Sequence, residues 1–326
     1  MEKRFEAIDG LRAVFGLGIV IYHVNETFGA AFSEVLSPVY AYGGYFGNYL
    51  LFMLSGLFTH RHFLEPRPDG FRPYLRERLR RLYPVYALSN LAMMFLGTAA
   101  LSLQKICATF LMVSTGWFFP DGVPYNLPSW FLCVLLLCYL LYGLLRRVPS
   151  AARQGLYTAL AAAGAALEQL DLSVPFLYRV CGEGYLNFFL GVLLAERLES
   201  LQRNRRTVWG CLGVLLCGTA GLTAQRGFSQ LPGDMRWWIT LLCAGLIAAA
   251  LLGGEPVLTL PGLPALGRRS FSLLLWHVPL ARGWTRLAGR QLDPRLSFLL
   301  YLAAAVGTAF LSYRCLEQPP KERRSG

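Results

Sequence analysis

The chain has 326 residues and a formal net charge of +12, yet it is 55% hydrophobic and only 15% charged. A soluble domain carries about 25% charged residues, so this composition excludes an ordinary globular protein and points to a polytopic all-α membrane protein whose surrounding partner is the lipid bilayer. The positive excess is not a nucleic-acid signature, because Arg gathers between apolar runs, where the positive-inside rule puts cytoplasmic loops.

Eleven apolar segments follow one another, at 8–26, 44–60, 83–101, 106–119, 129–145, 154–170, 183–198, 207–225, 236–253, 271–285 and 296–316. The first has no A-x-A-like cleavage site and runs into acidic residues, so it is expected to be retained rather than removed as a signal peptide. Taking Lys3 and Arg4 as cytoplasmic, the 27–43 connection, without Lys or Arg, falls outside, and the 61–82 connection, with Arg61, Arg67, Arg72, Arg76, Arg78, Arg80 and Arg81, falls inside. The basic groups Arg146, Arg147, Arg153, then Arg197, Arg203, Arg205, Arg206, then Arg268, Arg269, and the tail residues Lys321, Arg323 and Arg324 share that side only if one segment between 83 and 145 fails to span. Segment 106–119 is short and is followed by the polar, Pro-rich stretch 120–128, which makes it the re-entrant or interfacial candidate.

The prediction is therefore about ten transmembrane helices plus one short re-entrant or interfacial helix, both termini cytoplasmic, in a multi-pass protein of the cell membrane. Residues 1–326 read as one membrane domain with its core at about 5–319 and no separate soluble domain. Arg282, Arg286, Arg290 and Arg295 fall on the outer side and resist this plan.

The eight Cys form no C-x-x-C pair, and Cys133, Cys138, Cys211, Cys217 and Cys243 lie inside apolar runs. They read as small buried hydrophobes rather than metal or redox groups, and no permanently bound cofactor or metal is expected.

Five stretches carry polar residues that call for a reason. In RFEAIDGLRAVFGLGIVIYHVNE (4–26), Arg12 and His23 are eleven positions apart, which on a helix is three turns plus roughly 20° and about 16 Å along the axis. They share one face, and ionisable groups inside a span read as part of a functional site. The alternative is a packing His with an Arg that snorkels to the surface. In FRPYLRERLRRLYPVY (71–86), Arg76, Arg78 and Arg81 form either a positive-inside anchor or an anion site for a polyphosphate, and Tyr83-Pro84 is expected to open the next helix. PSWFLCVLLLCYLLY (128–142) offers packing aromatics, Trp130 and Tyr139, and no acid or base. LGRRSFSLLLWHVPL (266–280) places His277 two residues before Pro279, which loosens a span near a polar group. In SYRCLEQP (312–319), Arg314 and Glu317 are spaced for a surface ion pair.

In this order, the motifs resemble the acyltransferase 3 family of integral membrane O-acyltransferases, from about residue 5 to 319. The likeness rests on Asp9, Leu11, Arg12 and His23; on Ser55-Gly56; on Arg76, Arg78 and Arg81 before Tyr83-Pro84; on Trp130 to Leu132; on FFLGVLLA (188–195); on Ser272, Trp276, His277 and Pro279; and on Glu317 with Pro319. Many members carry a Ser and a Glu shortly after the Trp, whereas here Cys133, Val134 and Leu135 offer no acid. Some members continue into an extracytoplasmic hydrolase-like domain; this chain stops seven residues after Pro319, which implies a stand-alone membrane form or separate partners.

The resemblance implies transfer of an acyl group, usually acetyl, from cytoplasmic acyl-CoA (acetyl-CoA as co-substrate) to a hydroxyl of a cell-surface glycan, lipid-linked sugar or small molecule. It implies catalytic roles for His23 and His277 and substrate-binding roles for Asp9, Arg12, Ser55, Arg76, Arg78, Arg81 and Glu317. Two other classes stay open on the residues alone: a transporter or flippase of a small anionic solute using the Arg12–His23 face, and a catalytically silent sensor on the same scaffold.

Overall fold

The computed structural model describes residues 6–25, 27–28, 31–64, 70–97, 99–118, 122–170, 172–226, 235–252, 256–287 and 292–318. The expected cytoplasmic termini, with Lys3, Arg4, Lys321, Arg323 and Arg324, and also Arg67, Arg290 and Pro319, lie outside the described residues. The fold is 82% helix without strands among the described residues.

In chain order the helices are α1 (Glu6–Val24), α2 (Ser33–Leu64), α3 (Phe71–Leu96), α4 (Leu103–Phe110), α5 (Trp130–Leu145), α6 (Ser150–Leu167), α7 (Arg179–Glu196), α8 (Leu198–Arg203), α9 (Arg205–Arg226), α10 (Met235–Leu251), α11 (Leu263–Gly267), α12 (Ser270–Leu287) and α13 (Pro294–Ser312), followed by a π-helical turn, Tyr313–Glu317. Among the described residues three helical stretches are long and apolar enough to cross a bilayer, Glu6–Val24, Leu127–Leu145 and Pro294–Glu317. With this helical content they support a membrane protein.

Cross-helix contacts define two ends of the bundle. At the basic end, Asp9 of α1 lies 3.8 Å from Arg268, the residue after α11. Arg146, the residue after α5, stacks 3.7 Å from the Phe63 ring of α2. At the far end, Arg295 of α13 pairs with Glu34 of α2 at 2.8 Å, and Arg286 of α12 donates to the Leu96 carbonyl of α3 at 2.8 Å. Two of the Arg residues that resisted the charge plan thus find partners there.

The core forms where α2 packs on α7. Gly56 has no side chain because an added Cβ would collide with the Phe188 carbonyl of α7, so the Ser-Gly pair is first a close-packing device. Around it Phe52, Tyr86, Tyr139, Tyr142, Phe188 and Phe189 are buried.

Two expectations are corrected. The helix bearing Pro84 does not open there: α3 starts at Phe71 and carries Pro84 in its interior. Likewise α2 starts at Ser33, within the expected connection 27–43. The physical reason is common to both. An apolar run marks the part of a helix that faces apolar surroundings, not its full length, and Arg is a good helix former. The first turns of α3 therefore project with Arg72, Arg76, Arg80 and Arg81 exposed.

Segment 106–119 resolves into α4 and an irregular stretch. Tyr86 and Tyr83 of α3 donate to the carbonyls of Thr109 (2.6 Å) and Phe110 (2.9 Å) at the end of α4. The backbone then leaves the helix with positive φ at Met112 (59°) and Gly116 (84°). Irregular backbone inside a helical bundle needs internal partners, and Gly116 finds one in the Phe176 amide at 2.9 Å.

Candidate active site

Helix α1 carries Arg12 and His23, and both fall inside its described bounds. His23 is half-buried, with Nδ1 2.9 Å from the Ile19 carbonyl. A carbonyl only accepts, so Nδ1 carries the hydrogen and Nε2 keeps its lone pair. The ring of His277 lies 5.1 Å from that of His23, tilted by 53°. The structure thus brings together two histidines that are 254 positions apart in sequence. His277 is fully buried, and neither of its ring nitrogens has a hydrogen-bond partner among the described residues.

The backbone of α12 is adapted to this position. Pro279 lies inside the helix and has no N–H for the carbonyl four residues earlier, that of Leu275. Asn126 takes the place of that donor, its Nδ2 lying 2.7 Å from the Leu275 oxygen. Tyr301 of α13 donates to the His277 carbonyl at 2.8 Å. Asn126 is held in turn: its backbone amide donates to Asn90 Oδ1 at 2.8 Å, and Asn90 Nδ2 donates to the Ser129 hydroxyl at 3.0 Å. Sequence reasoning missed Asn90, Asn126 and Ser129. The polarity of 120–128 was visible, but nothing in one dimension joins that stretch to Pro279.

At the basic end the remaining candidates fall into three places. Asp9 lies 3.6 Å from Arg12 and 3.8 Å from Arg268. Glu317 is buried and accepts from the Ser272 hydroxyl at 2.5 Å. The Ser312 hydroxyl lies 2.8 Å from that of Ser272 and, with the Ser272 hydrogen given to Glu317, is the donor of the pair, while Trp276 Nε1 donates to the same Ser312 at 2.9 Å. Arg12 and Arg81 are the cations that act on the Glu317 carboxylate. The expected Arg314–Glu317 surface pair is therefore not the arrangement found. The π turn, closed by Gln318 N to Tyr313 O at 3.0 Å, rotates Glu317 inward and leaves Arg314 exposed.

Ser55 lies in a separate polar seam between α2 and α3. Its hydroxyl donates to the Leu51 carbonyl at 2.7 Å, and its own carbonyl accepts from Thr59 at 2.6 Å. Thr59 meets the Tyr74 hydroxyl at 2.8 Å, which in turn accepts from Arg78 Nε at 3.1 Å. Arg76 points elsewhere: with Arg72 and Arg80 it lines an open groove of about 440 Å³ beside α3. So Arg76 and Arg78 diverge, towards the groove and towards Tyr74, while Arg81 is exposed.

The arrangement offers a neutral imidazole with a free basic nitrogen, a second imidazole against it, and cations at the opposite end of the same helix. Among the described residues no three His, Cys, Asp or Glu gather as a metal site.

The model of a family described as "Acyltransferase domain", acyltransferase 3, matches residues 5–314. Among curated proteins, the chain is 29% identical over 131 residues to proteins named "Putative O-acetyltransferase" of Staphylococcus aureus strains COL, MSSA476 and MRSA252, a match covering 36% of this chain and 19% of each relative. The matched region is thus about a fifth of the length of those relatives. No solved structure matches this fold.

Proposed function

This chain belongs to the acyltransferase 3 family, and from that premise we propose that it is a membrane O-acyltransferase that moves an acyl group, acetyl in the simplest case, from cytoplasmic acyl-CoA to a hydroxyl of a glycan, lipid-linked sugar or small molecule. The observation that carries the reading is the His23–His277 ring pair, with the lone pair of His23 Nε2 left uncommitted.

In this proposal the basic end faces the cytoplasm, ten helices cross the cell membrane, and α4 enters without crossing. The guanidinium groups of Arg72, Arg76 and Arg80 hold the phosphates of CoA, while Arg12, with Asp9 and Arg81, lines the way inward. His23 Nε2 takes the proton of the acceptor hydroxyl as its oxygen bonds to the thioester carbonyl carbon. The C–S bond then breaks, and the CoA sulfur leaves with the proton that Nε2 returns. The products are an O-acyl ester and a free thiol. Being fully buried and uncharged in this role, His277 keeps the base from meeting a second positive charge.

The test is purified protein in liposomes, given labelled acetyl-CoA and a panel of hydroxyl acceptors. Label should reach an acceptor with the wild-type protein and not with His23→Ala, while saturable acyl-CoA binding survives in that variant and weakens when Arg72, Arg76 and Arg80 are replaced by Ala. Transfer at the wild-type rate by His23→Ala would sink the assignment.

A further inference from the structure

A second groove opens at the basic end, between the start of α3 and the end of α5. Its volume is about 500 Å³, and Phe71, Arg72, Gly143, Arg146 and Arg147 are among the residues that line it. Of these only Arg72 has a part in the steps above. Among the described residues no carboxylate lines the groove. The packing around it is specific. Gly143 lets the Phe71 ring lie against α5, where an added Cβ would collide with it. The backbone of α5 carries on past its last turn, with the amides of Arg146 and Arg147 bonded to the carbonyls of Tyr142 (3.0 Å) and Leu144 (3.1 Å). The Arg146 guanidinium is held over the Phe63 ring, and Arg72 and Arg147 are exposed.

The cations stand at the end of an apolar ridge. α5 belongs to the stretch Leu127–Leu145, which is long and apolar enough to cross a bilayer. Most of its large side chains are turned into the bundle, but Leu140 is 37% exposed and Leu144 59% exposed. Four positions apart, the two leucines lie one above the other on one helix face. Arg147 comes three residues after Leu144. The outward side of α5 is thus apolar inside the span and ends in guanidinium groups around an open groove.

We propose that this groove binds an anionic glycerophospholipid of the surrounding bilayer, with its phosphate among Arg72, Arg146 and Arg147 and one acyl chain along Leu144 and Leu140. The inference rests on the membrane-protein reading and goes beyond the acyl-transfer reaction. Guanidinium groups match phosphate oxygens with paired, charge-assisted hydrogen bonds. Basic pockets between helices at the cytoplasmic face are places where anionic headgroups dock. A soluble phosphate or a coenzyme would match the arginines and leave the leucines bare. A lipid without net charge would cover the leucines and leave the arginines without a counter-charge. An amphiphile with an anionic head meets both.

The experiment uses the purified full chain in neutral detergent, with phosphatidylglycerol, phosphatidylcholine and CoA as probes and native mass spectrometry to count the molecules bound. Phosphatidylglycerol should bind roughly ten-fold or more tightly than phosphatidylcholine. Arg146→Gln combined with Arg147→Gln should remove that preference. Arg205→Gln combined with Arg206→Gln, an equal loss of charge at exposed positions of α9, should keep it. A second measurement needs no variant: phosphatidylglycerol with a photoreactive group in its acyl chain should label the peptide holding Leu140 and Leu144 in the wild-type chain. Excess unlabelled phosphatidylglycerol should suppress that labelling, and CoA should not. Equal affinity for the two lipids, equal losses in the two double variants, no label on that peptide, or labelling that CoA suppresses as fully as phosphatidylglycerol overturns the lipid site.

Discussion

Two neighbouring residues on α12 show what separates scaffold from chemistry in this molecule. Trp276 and Ser272 face Ser312 and Glu317, and each of their side-chain polar groups is hydrogen-bonded. His277, the residue after Trp276, is fully buried, and neither of its nitrogens has a hydrogen-bond partner among the described residues. One stretch of helix therefore holds a closed knot on one side and an open group on the other. A closed buried network fixes geometry, whereas an open buried group is costly unless something else completes it.

The largest expected effect breaks the open side. His23→Ala should lower kcat for acyl transfer by about 10²- to 10⁴-fold, the range for loss of a general base, with insertion and acyl-CoA binding retained. His277→Gln should also cut the rate, by tens of fold, yet shift the thermal midpoint little, because the His277 side chain has no hydrogen bond to lose among the described residues; a large loss of stability with full activity would assign it to scaffold. Ser312→Ala should do the reverse. It removes the partner of both Ser272 and Trp276, which costs about 1–3 kcal/mol of stability, read as a lowered unfolding temperature in detergent with the rate within a few-fold. Asn126→Ala, which strips the donor from the Leu275 carbonyl, should cost about 1 kcal/mol and lower kcat several-fold, falling between the two sides. Arg314→Ala should change stability by less than about 0.5 kcal/mol, as expected of an exposed residue.

What was legible in the sequence follows the same division. α1 was readable almost to its ends, 8–26 against Glu6–Val24, because its apolar run and its helix coincide. The weak segment 106–119 announced itself by its length and its Pro-rich sequel. The start of α3 did not, since Arg at successive exposed turns continues a helix without any apolar signal. Among candidate site residues, Arg12 and His23 stood out because charge is conspicuous in an apolar run. His277 stood out for the same reason, although its contact with His23 is purely tertiary. Asn126 was invisible, because it looks like an ordinary loop residue and only the packing of α12 against it makes it unusual.

The substitution of Asn126 for the missing Pro279 donor has a mechanical consequence. Elsewhere a helix is latched by its own amides, but at Leu275 the latch belongs to another segment. Whatever displaces the stretch around Asn126 therefore also unlatches α12 two residues before His277.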